Sequence, residues 1–218
     1  MKIHLVAFDC DGVLVDTEPV VNRVFVELVA RTGPKLDVDE SLRRWNGVSM
    51  RRRIAQVSDE YGWVTPPTFE HEFDERQRDA LRTELRAVPG AVAAVRAVRT
   101  PRAVVSNGSR DEMTLKLTQV ALLDAFAPNL FSAADVPRSK PAPDVYLRAI
   151  ATLGVSAEAA VAVEDSVPGV TAARAAGLTV FGYAGERDGE PLARLGAHVF
   201  HDMTDLPELL RGAGVDIA

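Results

Sequence analysis

Residues 3–16 read IHLVAFDCDGVLVD, a mostly apolar run that stops at two aspartates and a glycine. Residues 3–8 are too few for a helix, and a continuous apolar run of this length is typical of a strand buried on both faces of a parallel sheet. In an extended chain, Asp9 and Asp11 point to the same side because they are two residues apart. The stretch therefore predicts a buried strand that carries two carboxylates at its carboxyl end, where open α/β sheets bind ligands.

Further short apolar runs occur at residues 103–105, 160–163 and 178–181, with weaker ones at 130–131 and 198–200. Helical patterns lie between the runs. An apolar stripe with helical spacing covers residues 21–29 and ends before Gly33. Ser109 and Glu112 have the spacing of a capping box, and Gly154 and Gly177 stand where helices end. The alternation predicts an α/β fold whose core is a Rossmann-like, doubly wound parallel sheet.

Residues 17–86 interrupt the alternation, since they contain helical patterns and no convincing strand. We expect a helical insertion over 17–86, with residues 1–16 and 87–218 forming the α/β core domain. Pro89 and Gly90 mark the expected return to the core.

Composition excludes several functional classes. The 218 residues include 25 Lys and Arg against 31 Asp and Glu, a net charge of −6, which argues against a nucleic-acid-binding face. The single cysteine, Cys10, excludes an intrachain disulfide and a multi-cysteine zinc site, and we expect it to pack in the core. No apolar run is long enough for a membrane span, and the first run ends too soon for a signal peptide. We expect a cytoplasmic protein; the sequence does not fix its oligomeric state.

The pair Asp9 and Asp11 predicts a cation site, because two carboxylates this close repel each other unless a positive charge is bound. Oxygen ligands suit Mg²⁺, which keeps waters and shares phosphate oxygens. The same Asp-x-Asp-Gly spacing is also common in simple turns.

The run at 160–163 is followed by Glu164, Asp165 and Ser166. This second acidic strand end could complete the metal site, although Asp165 or Ser166 could equally be the N-cap of the next helix.

Two further segments have the chemistry of a phosphate site. Ser106 and Asn107 precede a helix start, where a hydroxyl and backbone N–H groups can bind an anion, although Ser-Asn-Gly is also an ordinary turn. Lys140 precedes Pro141, which keeps it out of a helix. It could neutralise a phosphoryl group and an attacking carboxylate together, or be an ordinary surface lysine.

Taken together and in this order, residues 9–16, 106–108, 140–141 and 164–165 resemble the four motifs of the haloacid dehalogenase (HAD) superfamily. The resemblance covers almost the whole chain, and within the superfamily the sequence is similar to the β-phosphoglucomutase-like phosphatases with a helical cap. It implies that residues 17–86 form a cap domain that closes over the site and recognises the substrate.

The resemblance also implies individual roles. Asp9 would be the nucleophile that forms an aspartyl-phosphate, and Asp11 the general acid and base, with its backbone carbonyl bound to Mg²⁺. Asp165 would be a metal ligand, as would Asp9, and Glu164 either a ligand or a partner of one.

Ser106, the Asn107 amide and Lys140 would hold the phosphoryl oxygens. The expected substrate-recognising residues of the cap are Trp45, Asn46, Gly47 and Arg51.

The implied activity is Mg²⁺-dependent hydrolysis of a small phosphorylated metabolite, a sugar phosphate or a sugar-acid phosphate such as 6-phosphogluconate. The mutases of the family carry a histidine shortly after the Asp-Thr pair, and residues 16–22 contain none, which favours hydrolysis. The alternatives are β-phosphoglucomutase activity and a non-catalytic binding protein that keeps the fold.

Overall fold

The computed structural model describes residues 2–45 and 48–218. The chain forms two compact units, one of Met1–Asp16 with Arg86–Ala218 and one of Thr17–Leu85. The first, the α/β unit, contains strands β1 Leu5–Phe8, β2 Val15–Asp16, β3 Arg86–Ala87, β4 Arg102–Ser106, β5 Leu130–Ser132, β6 Ala160–Glu164, β7 Thr179–Tyr183 and β8 His198–Phe200. Its helices are α5 Ala91–Ala97, α6 Arg110–Gln119, α7 Leu123–Phe126, α8 Asp144–Leu153, α9 Val167–Ala175, α10 Glu190–Ala193 and α11 Leu206–Gly212. The second, the helical unit, contains α1 Glu18–Thr32, α2 Val38–Trp45, α3 Met50–Tyr61 and α4 Phe69–Glu84.

Over the described residues, six strands form one parallel sheet in the order β5-β4-β1-β6-β7-β8. Each apolar run in the sequence overlaps one of these strands, so the predicted α/β fold is confirmed. The first strand begins at Leu5 rather than Ile3. β2 and β3 form a separate antiparallel pair, which links the two points where the chain leaves and re-enters the α/β unit.

Helices cover both faces of the sheet. Leu5 and Ala7 of β1 belong to one apolar cluster with residues of α8 and α9. Phe8 points the other way, and its ring meets that of Phe126 in α7 edge-on at 5.6 Å between centroids. Burial on both faces explains why β1 is apolar throughout instead of alternating.

The helical unit has an apolar core of its own. Phe25 of α1 meets the rings of Trp45 and Phe69 edge-on, at 5.3 and 5.8 Å between centroids. α1 ends at Thr32, and Gly33 follows as the sequence predicts.

Strand order determines where side chains converge. β1 lies between β4 and β6, and the chain crosses to opposite sides of β1 to form them. The carboxyl ends of neighbouring strands diverge at such a switch point and leave a crevice. The polar residues that end or follow β1, β4 and β6 are therefore neighbours.

Candidate active site

Asp9 is the first residue after β1 and lies largely buried between β4 and β6. Its backbone N–H donates to the carbonyl of Val163 in β6 at 2.9 Å, which continues the strand pairing by one residue. Its Oδ1 accepts a hydrogen bond from Lys140 Nζ at 2.8 Å. The register of the sheet thus fixes the Asp9 backbone, and a lysine 131 residues along the chain fixes its carboxylate.

Lys140 lies in the loop before α8 and has 4% of its side chain exposed. Its Nζ donates to Asp9 Oδ1, to Glu164 Oε1 at 2.6 Å and to the Val105 carbonyl at 2.7 Å. These bonds use all three donors of the ammonium group. Burial favours the neutral amine, but the charges of Asp9 and Glu164 outweigh burial and raise the pKa of Lys140 above its usual value. The lysine is therefore a fixed positive charge in the site.

Glu164 ends β6 and is completely buried. Its Oε1 accepts from Lys140 and also from the Tyr146 hydroxyl at 2.5 Å. Burial raises the pKa of Glu164, while Lys140 and the Tyr146 hydrogen bond act against the increase.

Asp165 follows Glu164, and one of its oxygens, Oδ2, is held between a backbone and a guanidinium. Arg187 Nη2 donates to Oδ2 at 3.0 Å. On the other side, a Cβ added to Gly12 would lie 2.2 Å from the same oxygen. Gly12 also has φ +78°, a left-handed conformation that favours glycine. The glycine that follows Asp11 is therefore required both by the turn and by the close approach of Asp165.

Asp9, Glu164 and Asp165 each offer a carboxylate oxygen, and these oxygens lie within 4.8 Å of one another. Burial raises the pKa of Asp9 to about 7, with Lys140 opposing the increase. Burial and the charge of Asp9 likewise raise the pKa of Asp165 to about 7. The oxygen atoms of these three carboxylates could hold a hard cation, which would stabilise their charged forms. The donor set therefore fits Mg²⁺.

Asp11 lies outside this carboxylate group. Its Oδ1 accepts from Lys116 Nζ of α6 at 2.6 Å, and 38% of the Asp11 side chain is exposed. The charge of Asp11 outweighs burial and raises the pKa of Lys116. The predicted acid–base residue is thus paired with a lysine that the sequence analysis did not single out.

Ser106 ends β4, beside β1, and is 2% exposed. Its Oγ accepts from the N–H of Gly108, and Ser109 then caps α6 through the predicted capping box. The Asn107 side chain accepts from the backbone N–H of Lys140 at 3.0 Å. Asn107 therefore links the loop after β4 to the loop that carries Lys140.

Comparisons with known proteins identify the family of this chain. Residues 3–177 match the haloacid dehalogenase-like hydrolase family. This chain is a member of that family. It is 34% identical over 217 residues to the 6-phosphogluconate phosphatase of Escherichia coli K12, an alignment that covers 99% of this chain and 98% of that protein.

Two solved structures extend the comparison. An HAD family hydrolase from Deinococcus radiodurans R1, with bound phosphate and sodium, superposes with a TM-score of 0.86 at 32% identity and covers 98% of this chain and 97% of that one. A candidate β-phosphoglucomutase from Thermotoga maritima superposes with a TM-score of 0.80 at 26% identity, with 97% and 99% covered. These relatives confirm the resemblance found in the sequence, and the chain is an HAD-like phosphoric monoester hydrolase.

The expected substrate-recognising residues of this HAD hydrolase lie in different surroundings. Trp45 is 1% exposed, packs against Phe25 and donates from Nε1 to Gln56 at 2.7 Å, a placement that favours a packing role. Arg51 is exposed on the first turn of α3. Asn46 and Gly47 fall outside the described residues.

Arg53 is the arginine of α3 that is buried. It is 2% exposed and donates to Glu18 at 2.7 Å and to the Val48 carbonyl at 2.8 Å. No pattern in the sequence indicated a role for Arg53.

Arg187, Lys116 and Tyr146 are the contacts of the site that the sequence did not predict. For Lys116 a local signal exists, because it lies on α6 between the buried Met113 and Leu117 and therefore beside the apolar face. Arg187 and Tyr146 carry no local pattern, since their contacts depend on the sheet. In the described part of the chain, no helix is long and apolar enough to cross a membrane.

Proposed function

We propose that this HAD hydrolase is a Mg²⁺-dependent phosphatase of sugar phosphates or sugar-acid phosphates and that it acts through an aspartyl-phosphate on Asp9. The observation that carries the proposal is the Lys140 ammonium, which contacts both Asp9 and Glu164 while Asp165 lies within 4.8 Å of that pair. Such a group pairs a nucleophilic carboxylate with a fixed positive charge beside a cation site. Neutralising charge on the transferred group is the main catalytic requirement of phosphoryl transfer.

Asp9 would attack the phosphorus with the oxygen that is not bonded to Lys140. A new P–O bond to Asp9 forms while the bond from phosphorus to the sugar oxygen breaks, and Asp11 gives its proton to the leaving oxygen. Water then attacks the same phosphorus, Asp11 takes back a proton, and the P–O bond to Asp9 breaks to release phosphate. The two steps leave Asp9 and Asp11 as they began.

Asp9 and Asp165, with the backbone carbonyl of Asp11 and with Glu164 as a ligand or a partner, would hold the cation. Bound Mg²⁺ supplies positive charge to the phosphoryl oxygens and offsets the repulsion between Asp9 and the anionic substrate. Ser106, Asn107 and Lys140 would bind the remaining phosphoryl oxygens.

We infer that the helical unit, residues 17–85, is a cap that recognises the part of the substrate beyond the phosphate. The similarity to the 6-phosphogluconate phosphatase along 99% of the chain supports a sugar-acid phosphate as the first substrate to test. An acid group on the substrate would need a cation as its partner, and exposed Arg51 is the candidate from the sequence.

The test is phosphate release from a panel of sugar phosphates, sugar-acid phosphates and polyol phosphates, ranked by kcat/KM, with Mg²⁺ or with EDTA. We expect activity that requires Mg²⁺ and that D9N abolishes, with circular dichroism unchanged. D124N is the matched control, since Asp124 is an exposed aspartate of the same unit. Acid-quenched turnover should leave a phosphoryl group on Asp9, detectable by peptide mass spectrometry.

Turnover retained in D9N would overturn the nucleophile assignment, and full activity in EDTA would overturn the metal requirement. The similarity to a candidate mutase makes one further assay necessary. Conversion of β-glucose 1-phosphate to glucose 6-phosphate without phosphate release would replace hydrolysis by mutase activity.

A further inference from the structure

Two cationic side chains pair with the three clustered carboxylates. In the α/β unit as described, Lys140 pairs with Asp9 and Glu164, while Arg187 pairs with Asp165. Three carboxylates therefore face two positive side chains. A divalent cation that enters the cluster must come close to both Lys140 and Arg187.

The two cations differ in how firmly they are held. The Lys140 side chain is 4% exposed and makes three short hydrogen bonds, whereas that of Arg187 is 32% exposed. Besides Asp165, the guanidinium contacts the carbonyls of Ala184 and Tyr183 at 3.3 and 3.4 Å, both long for hydrogen bonds. Arg187 can thus turn toward solvent at little cost, and Lys140 cannot.

Arg187 lies at the edge of the carboxylate cluster. It belongs to the segment between β7 and α10. The segment lies at the carboxyl end of β7, the strand next to β6. The Arg187 side chain therefore reaches Asp165 from the edge of the carboxylate cluster rather than from beneath it.

We propose that Arg187 is a displaceable counter-ion of Asp165 that competes with the divalent cation for that carboxylate. The inference rests on the proposed function, because it takes the carboxylate cluster to be the Mg²⁺ site. Its physical basis is repulsion, since a guanidinium at 3.0 Å from Asp165 Oδ2 lies within a few ångströms of any cation bound to that carboxylate.

The hydrogen bond from Arg187 to Asp165 also has an effect opposite to repulsion. A hydrogen bond to a ligating carboxylate can orient it, and loss of such a bond weakens metal binding by about 10–100-fold. In this site Gly12 already confines the same oxygen, since a Cβ there would lie 2.2 Å from it. Loss of the arginine therefore removes repulsion while the Gly12 contact still orients Asp165, and we expect the repulsion term to dominate.

The experiment is calorimetric titration of the EDTA-stripped, dialysed full-length protein with MgCl₂, repeated with Mn²⁺ followed by electron paramagnetic resonance. R187Q should lower the Kd for both ions by about tenfold or more, because it removes the charge and keeps a polar side chain. R187K keeps the charge and should stay within about threefold of wild type. R194Q is the matched control, since Arg194 directly follows α10 and pairs with exposed Glu190 outside the cluster.

Each result decides the proposal. Tighter binding in R187Q alone supports displacement, and so does binding in R187Q when wild type shows none. Unchanged or weaker binding in R187Q overturns it, and equal weakening in R187Q and R187K would show that Arg187 orients Asp165. No binding in any variant would overturn both the displacement and the metal site. Phosphate release by wild type in the presence of Mg²⁺ is measured separately, so a failure of the phosphatase proposal is distinguishable from a failure of this one.

Discussion

Replacing Lys140 by methionine tests the electrostatic account of the site most directly. Methionine has a similar length but cannot donate hydrogen bonds. It would leave Asp9, Glu164 and the Val105 carbonyl without the ammonium that lies 2.6–2.8 Å from each. Removing one partner of a buried ion pair costs about 3–5 kcal/mol, because the remaining charges stay buried without compensation.

That cost is a large share of the roughly 5–15 kcal/mol that holds a typical domain folded. For a chain of this size it corresponds to a fall in Tm of about 6–20 °C. We expect this fall for K140M in EDTA at pH 8, measured by circular dichroism. K35M is the matched control, since Lys35 is exposed, and it should melt close to wild type.

The pH dependence of the loss identifies its cause. Without Lys140 the pKa of Asp9, already about 7, and that of Glu164 rise further. A carboxyl group with a raised pKa in the folded state binds protons more tightly there than in the unfolded chain. Stability therefore increases as pH falls from 8 toward 5, and the deficit of K140M relative to wild type should shrink. The double variant K140M/E164Q should recover part of the loss at pH 8.

A K140M protein that melts within 2 °C of K35M at pH 8 would refute the electrostatic account of the site. A difference of 2 °C corresponds to about 1 kcal/mol or less in a chain of this size. So would a deficit that is independent of pH, because loss of packing alone has no titrating group.

Three further predictions concern stability. G169A should destabilise the protein by about 1–3 kcal/mol in thermal melts, because the new Cβ would lie 1.9 Å from Glu164 Oε2. Alanine is otherwise the better helix residue. The control is G212A, which should be neutral or stabilising, since a Cβ there would meet no atom within 4 Å. S109A should cost about 0.5–2 kcal/mol in urea titrations through loss of the α6 cap, and an unchanged midpoint would contradict the cap's contribution. In EDTA the wild type should become more stable as the pH falls from 8 to 5, because the pKa of Asp165 is about 7 in the folded state and near 4 in the unfolded chain. Addition of Mg²⁺ at pH 8 should restore stability. A melting temperature that does not change across this pH range would contradict the raised pKa of Asp165.

The strands and the polar residues at their ends were predictable because both are local properties. Buried parallel strands leave short apolar runs such as residues 160–163, and the chain becomes polar where such a strand leaves the core. The carboxyl ends of parallel strands lie at the same edge of a sheet, so Asp9, Ser106 and Glu164 could be placed at one edge from the sequence. The order of the strands in the structure then makes those three ends neighbours. The capping box at Ser109 was equally local.

The contacts that complete the site were not predictable, since each joins distant segments. Nothing near Lys140 indicates that its ammonium also reaches Glu164, and nothing near Arg187 indicates that its guanidinium reaches Asp165. Trp45 illustrates the opposite difficulty. It adjoins two exposed arginines, a setting that suggests an accessible side chain, yet its ring is buried against Phe25 from another helix. Burial of a single aromatic residue depends on tertiary packing, which a helical pattern alone does not contain.

The geometry of Glu164 bears on the alternative that the sequence left open, a metal ligand or a partner of one. Its Oε1 already accepts from Lys140 and Tyr146, which leaves Oε2 as the oxygen with capacity for a cation. Oε2 is itself crowded, since it faces the Cα of Gly169 closely enough that a Cβ there would overlap it. A carboxylate confined on both oxygens is better suited to holding Lys140 than to moving with an ion. Asp9 and Asp165 are less buried, and each retains an oxygen without a protein donor among the described contacts, so the geometry favours them as direct ligands. Glu164 instead holds Lys140, whose ammonium also pairs with Asp9.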